Sequence, residues 1–98
     1  MMYIRIRELR EDHDMRQIDI ARMLKMSQTG YSKYETGEND VPTDVLVRLS
    51  VYYDTSVDYI LGLTDEKKAY PPSENRLRKL IEYRNALRLK RSAESVQQ

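Results

Sequence analysis

Apolar residues recur at helical spacing in a series of short segments, each bounded by a polar break. Ile6 and Leu9 form the inner side of a first helix predicted from Met2 to about Asp12, with Met2 and Tyr3 as additions to it. Arg5, Arg7, Glu8 and Glu11 fall toward solvent, and Arg10 lies at the edge of the stripe. Ile18, Ile20, Ala21, Met23 and Leu24 give a second helix, starting near Gln17, its apolar side. Arg16 is a poor cap for it, and Asp14 is the expected substitute, with Gln17 three residues on. Lys25-Met26-Ser27 breaks the pattern, Ser27 caps a third helix over Gln28–Thr36, and Gly37 stops it. Pro42-Thr43 opens a fourth helix, with Thr43 as its cap and Asp44 in the first turn; its inner stripe is Val45, Leu46, Leu49 and Tyr53, with Val41 packed on it. Thr55-Ser56 caps a fifth, Val57 to Leu61, ended by Gly62; Tyr52, Tyr53 and Tyr59 read as core and rim aromatics, core ahead of interface for all but Tyr59, where the two readings are even. Residues 64–72 read as a polar linker closed by Pro71-Pro72. Ser73 then caps a last helix from Glu74 to about Arg91, with Leu77, Leu80, Ile81 and Leu87 along one side.

The second and third helices divide their labour. Ala21 is small where two helices have to cross closely, and Met26 is apolar in the turn between them. Tyr31 and Tyr34 fall toward a core, while Gln28, Thr29, Ser32 and Lys33 share the opposite face. A helix-turn-helix that reads DNA needs that arrangement. Gln28 is the leading base reader, because a glutamine amide bonds bidentately to adenine N6 and N7. Thr29 offers a methyl to thymine, Ser32 reaches a base or a phosphate, and Lys33 reads guanine or holds the backbone. Gly30 is unusual inside a helix and suits a close approach of backbone to a groove wall. Thr36, Asn39 and backbone N–H groups offer phosphate contacts in the following loop.

Gln17, Ala21, Leu24, Ser27, Gln28, Ser32, Tyr34, Glu35 and Gly37 resemble, in order and spacing, the helix-turn-helix of the Cro and phage-repressor family, also called the xenobiotic response element family of bacterial regulators. The likeness continues through Arg7–Arg10 and Ser56–Asp65, about the first two-thirds of the chain. It implies an all-α, five-helix lambda-repressor-like domain, to which this chain adds a C-terminal helix. The resemblance further implies an Arg10–Glu35 ion pair bracing the first helix against the third. It implies that Gln17 contacts a phosphate and buttresses the first residue of the third helix. Lys25 stands where the family most often has Gly, a position that suits a left-handed backbone. Dimerisation through the fourth and fifth helices is common in the family, which makes Tyr59 a candidate dimer contact.

Composition narrows the function. The 98 residues bound the chain to one domain with an appendage: a DNA-binding domain over 1–66, a linker over 67–72, and a helix and tail over 73–98. There are no cysteines and a single histidine, His13, which reads as a solvated loop residue. No run approaches the ~20 apolar residues that span a bilayer, and no signal-peptide pattern is present, so a cytoplasmic protein is expected. No enzymatic frame, metal site or cofactor motif is found. Charge is uneven: residues 1–72 carry 10 Lys+Arg against 13 Asp+Glu, a balance of −3, and residues 73–98 carry 7 against 3, a balance of +4. An acidic domain with Glu38 and Asp40 in its loop implies moderate affinity and a shallow salt dependence. The expected function is a DNA-binding regulator, a repressor, acting as a homodimer on an inverted repeat. An isolated helix of that length is marginal, so Leu77, Leu80, Ile81 and Leu87 would pack back on the domain or pair with a second copy, and the linker before them favours pairing. The alternative is a protein-interaction module such as an antitoxin, with the C-terminal helix on a protein partner.

Overall fold

The computed structural model describes residues 1–71 together with Glu74, Asn75, Arg78, Ile81 and Glu82. Within residues 1–71 five helices follow one another: α1 (Ile4–Asp12), α2 (Gln17–Met23), α3 (Gln28–Thr36), α4 (Thr43–Tyr52) and α5 (Val57–Ile60). No strand occurs among the described residues.

One core joins them. Ile6 and Leu9 of α1, Ile20 and Ala21 of α2, Leu24 at its end, Tyr31 of α3, Val45 and Leu49 of α4, Tyr53 at its end, and Ile60 of α5 are all buried. Tyr3, Met15, Met23, Met26, Tyr34, Val41, Leu46 and Tyr59 pack around it. Ile18, expected on the inner side of α2, is half-buried and outside this cluster. Tyr52 is 44% exposed, at the rim: its ring stands edge-on to Tyr53 at 5.1 Å and its hydroxyl lies 3.0 Å from Met15 Sδ.

Four helices end in the same way. After α1, α2, α4 and α5 one residue turns left-handed: Asp14 (φ 53°), Lys25 (φ 58°), Asp54 (φ 51°) and Gly62 (φ 79°). In each case the next N–H reaches back five residues: Met15 to Arg10 O, Met26 to Ala21 O, Thr55 to Ser50 O and Leu63 to Asp58 O, at 2.9–3.1 Å. The left-handed residue bonds three back at 2.9–3.3 Å, so carbonyls that would be orphaned are satisfied. Lys25 thus adopts the backbone for which glycine is favoured, at a cost of about 1–2 kcal/mol.

Several helix starts differ from expectation. α1 begins at Ile4, and Met2 stays 51% exposed. Asp14 does not cap α2, because it is already the left-handed end of α1. Arg16 takes the cap position, and its N–H donates to Asp19 Oδ2 at 2.9 Å; Asp19, not Gln17, closes the turn. Thr43 is the first residue of α4 rather than its cap, which falls on Pro42. His13 is exposed, but its ring stands 4.9 Å from Tyr53 and its Nδ1 meets Leu9 O at 2.8 Å.

Residues 64–71, expected as a linker, lie against the domain. Arg5, expected in solvent, is the reason: its guanidinium donates to Tyr59 O at 2.8 Å and to Thr64 O, pairs with Asp65 at 2.6 Å, and sits 4.1 Å above the Tyr59 ring. The buried Thr55 hydroxyl donates to Lys67 O at 2.6 Å, and the Tyr70 hydroxyl bonds to Asp58. Glu74 and Arg78 have helical backbone and stand 3.7 Å apart, and Ile81 is exposed. Ser73, Leu77, Leu80 and Leu87 of the expected last helix lie outside the described residues.

Candidate nucleic-acid interface

The site is built on α3. The Ser27 hydroxyl accepts from Gly30 N–H at 3.0 Å and so satisfies a donor at the helix start. Gly37 ends the helix with φ 80°, and a Cβ there would lie 2.7 Å from the backbone nitrogen of Met2. Glycine is required twice over, for the left-handed turn and for the chain packed against it. Between the two ends, Tyr31 is fully buried, and Tyr34 stands edge-on to it at 6.5 Å. α3 is therefore anchored through one side, and the side opposite is set by that anchoring.

Gln28 and Thr29 are exposed at the start of α3; Ser32 and Lys33 are half-buried further along. Thr36 and Asn39 are exposed but partly occupied. The Thr36 hydroxyl donates to Lys33 O at 3.3 Å and accepts from Glu38 N–H at 3.4 Å, while Asn39 N–H bonds to Lys33 O at 3.1 Å. Both close the end of α3, so the Asn39 backbone N–H is committed and its side chain remains. Gly30 has a reason inside the protein: a Cβ there would meet the Met26 methyl at 3.1 Å and the Ser27 hydroxyl at 3.2 Å. The turn residue Met26 fills the space that a side chain at position 30 would need.

Behind this face lies a buried polar cluster. Glu35, 5% exposed, accepts from Arg10 Nε at 2.7 Å and Arg10 Nη2 at 3.1 Å, a bidentate pair. Arg10 also donates to Met15 O at 2.8 Å. Gln17 Nε2 donates to Glu35 Oε1 at 3.2 Å. The Gln17 amide thus meets the far end of α3 rather than Gln28 at its start. Burial alone would push the Glu35 carboxyl up; hydrogen bonds from Arg10 and Gln17, with the charge of Arg10, outweigh it and hold it below the usual range. The Tyr31 and Tyr53 hydroxyls are buried with no partner at full hydrogen-bond geometry, and burial raises both well above the ordinary tyrosine value.

Sequence reasoning missed Arg48, which reaches Leu24 O at 3.4 Å and Asp44 at 2.9 Å and so ties α4 to the end of α2. No sequence signal marks that contact, because Leu24 is 24 residues away and offers only its backbone. Among the described residues no group of three or more His, Cys, Asp or Glu could hold a metal, and no helix is long and apolar enough to cross a membrane.

Comparisons with known proteins agree with this geometry. A helix-turn-helix family profile matches residues 6–60. YobD, an uncharacterized HTH-type transcriptional regulator of Bacillus subtilis, is 42% identical over 62 residues, 63% of this chain and 55% of that protein. The HTH-type transcriptional regulator ImmR of the same organism is 34% identical over 64 residues, 65% of this chain and 50% of its own length. Antitoxin PezA of Streptococcus pneumoniae is 31% identical over 70 residues, 71% of this chain and 42% of its own length. The chain spans about half the length of these relatives. No solved structure matches at the same level of significance. With α2 to α5 and all but the first two residues of α1 inside the matched region, and the α2–turn–α3 unit within it, the chain belongs to the Cro/C1-type helix-turn-helix family.

Proposed function

We propose that this protein is a sequence-specific DNA-binding transcriptional regulator, a repressor, that places α3 in the major groove as a homodimer. The observation that carries the reading is the anchoring of α3. Tyr31 and Glu35 are buried on one side of the helix, and Gln28 and Thr29 are left exposed at its start. Gln28 reads adenine, Thr29 a thymine methyl, Ser32 and Lys33 a base or the backbone. Gln17 and the Asn39 side chain hold phosphates, and the Thr36 hydroxyl joins them by releasing its 3.3 Å donation to Lys33 O. The exposed Glu38 and Asp40 weaken non-specific attraction and keep the salt dependence shallow.

Two copies would present α3 to successive major grooves about 34 Å apart. Pairing falls to Leu77, Leu80, Ile81 and Leu87, with Tyr59 as a further contact. Deleting residues 73–98 is expected to lower dimer affinity, and identical sedimentation of both forms would remove that role. The test of the main reading is selection from random duplex DNA at fixed salt. An enriched inverted repeat is expected; a folded protein that enriches nothing overturns the reading.

The likeness to antitoxin PezA favours one second reading, a module whose C-terminal residues cover a protein partner. A tail that gains structure only when a partner is added would distinguish it.

A further inference from the structure

Glu35 belongs to α3, Arg10 to α1, and Gln17 is the first residue of α2, so one buried carboxylate joins three helices. The chemistry of that junction is directional. An ionised carboxylate only accepts hydrogen bonds, while a glutamine amide donates from nitrogen and accepts at oxygen. Next to Glu35, Gln17 has to turn its nitrogen inward, and the 3.2 Å Nε2–Oε1 contact shows that orientation. Glu35 cannot turn to accommodate the opposite one: it is 5% exposed and gripped by both nitrogens of the Arg10 fork. Arg10 also balances its charge, so the cluster does not repel a nearby phosphate as a free carboxylate would.

The geometry points to Glu35 as a positioning residue for DNA: it consumes one Nε2 hydrogen of Gln17, fixes the amide's orientation, and leaves the second Nε2 hydrogen as the donor to a backbone phosphate. A free glutamine would sample both orientations, and its oxygen would meet a phosphate with like polarity. Preorganisation removes that loss. The inference rests on the proposed DNA-binding reading and gives it a specific mechanism: the brace between α1 and α3 also aims the first residue of α2.

The test is a thermodynamic cycle on the full chain, with a duplex recovered from the random pool as probe. Gln17→Ala is made in the native chain and in the paired variant Arg10→Met/Glu35→Met. The paired change removes the carboxylate without stranding a buried arginine, a replacement that many folds tolerate. In the native chain Gln17→Ala is expected to weaken binding roughly tenfold, the worth of one charge-assisted hydrogen bond. In the paired background it should cost less than about twofold, with little lost beyond the paired change itself. An equal loss in both backgrounds overturns the positioning role, because a merely structural brace would leave the cost of Gln17→Ala unchanged. No loss in either background, while Gln28→Ala still weakens binding, overturns it too and leaves the DNA reading intact. If no duplex is enriched, both fall. Thermal melting confirms folding of each variant. If the paired variant does not fold, Glu35→Gln enters the same cycle: the neutral amide accepts either face of Gln17, and Gln17→Ala should again cost less than in the native chain.

Discussion

The α2–turn–α3 unit is buried through its own apolar side chains, whereas residues 64–71 are held by polar side chains, one of them, Arg5, from the opposite end. Ile20, Ala21, Leu24 and Tyr31 bury the first region in the common core. Arg5 and Thr55 bind the second through carbonyls of Thr64 and Lys67, 59 and 12 residues away. The contrast is one of cooperativity. A region sharing the core is lost only when the whole domain unfolds; a segment held by a few peripheral hydrogen bonds opens by itself. The recognition face therefore has the rigidity of the fold, while residues 64–71 have that of contacts at the edge of the domain, from Arg5, Thr55, Asp12 and Asp58.

The largest effect comes from breaking the first region at its polar brace. Arg10→Ala leaves Glu35 buried and unpaired and is expected to cost about 3–5 kcal/mol in denaturant unfolding, with all probes moving together. The same brace makes stability pH-dependent. The carboxyl of Glu35 is held below its ordinary range, so the unfolded chain takes up that proton first. Its contribution is fully present above an ordinary carboxylate pKa of about 4.3 and is lost as pH falls through the lower folded value. Urea titrations from neutral pH downward should show this acid loss, and Glu35→Gln should flatten it.

Gln28→Ala tests the exposed side of the same region. Specific DNA binding should weaken by about 1–3 kcal/mol and one base position should relax, with the melting temperature unchanged. A lowered melting temperature would mean that the side chain belongs to the fold instead.

Breaking the second region should leave the first in place. Arg5→Ala removes donors to two backbone carbonyls and is expected to ease local opening of residues 64–71 by about 1–3 kcal/mol. Trypsin cleavage at Lys67 and Lys68 should accelerate, while DNA binding by the intact chain persists. Simultaneous loss of both would show that the segment belongs to the cooperative unit.

Lys25→Gly sharpens the comparison by the smallest amount. The turn between α2 and α3 keeps its left-handed residue at φ 58°, and glycine should raise global stability by at most about 1 kcal/mol. Hydrogen exchange over residues 64–71 should not change.

The helices and the inner faces of α3 and α4 were legible because their signals are local. Apolar spacing places Tyr31, Val45 and Leu49 inward, Ser27 supplies a cap oxygen, and Gly37 supplies a left-handed stop. Other local signals misled where two elements competed for one residue. Asp14 has the chemistry of a cap for α2, but the end of α1 takes it first, and Asp19 closes the turn from inside the helix. Gly30 has a local reason beside the one read from the sequence, since the Met26 methyl lies 3.1 Å from where its Cβ would stand.

Five helices, their order and a recognition helix with one apolar and one polar side follow from chemistry acting within a turn or two of each residue. Which long polar side chain meets which distant partner does not. Arg5 reads as a solvated cation and becomes the clamp on residues 64–65; Gln17 reads as a neighbour of Gln28 and meets Glu35 instead. Long side chains carry their donors several bonds from the backbone, so their partners depend on which carbonyls and carboxylates the packed core brings within reach, and that is settled only once the helices have docked.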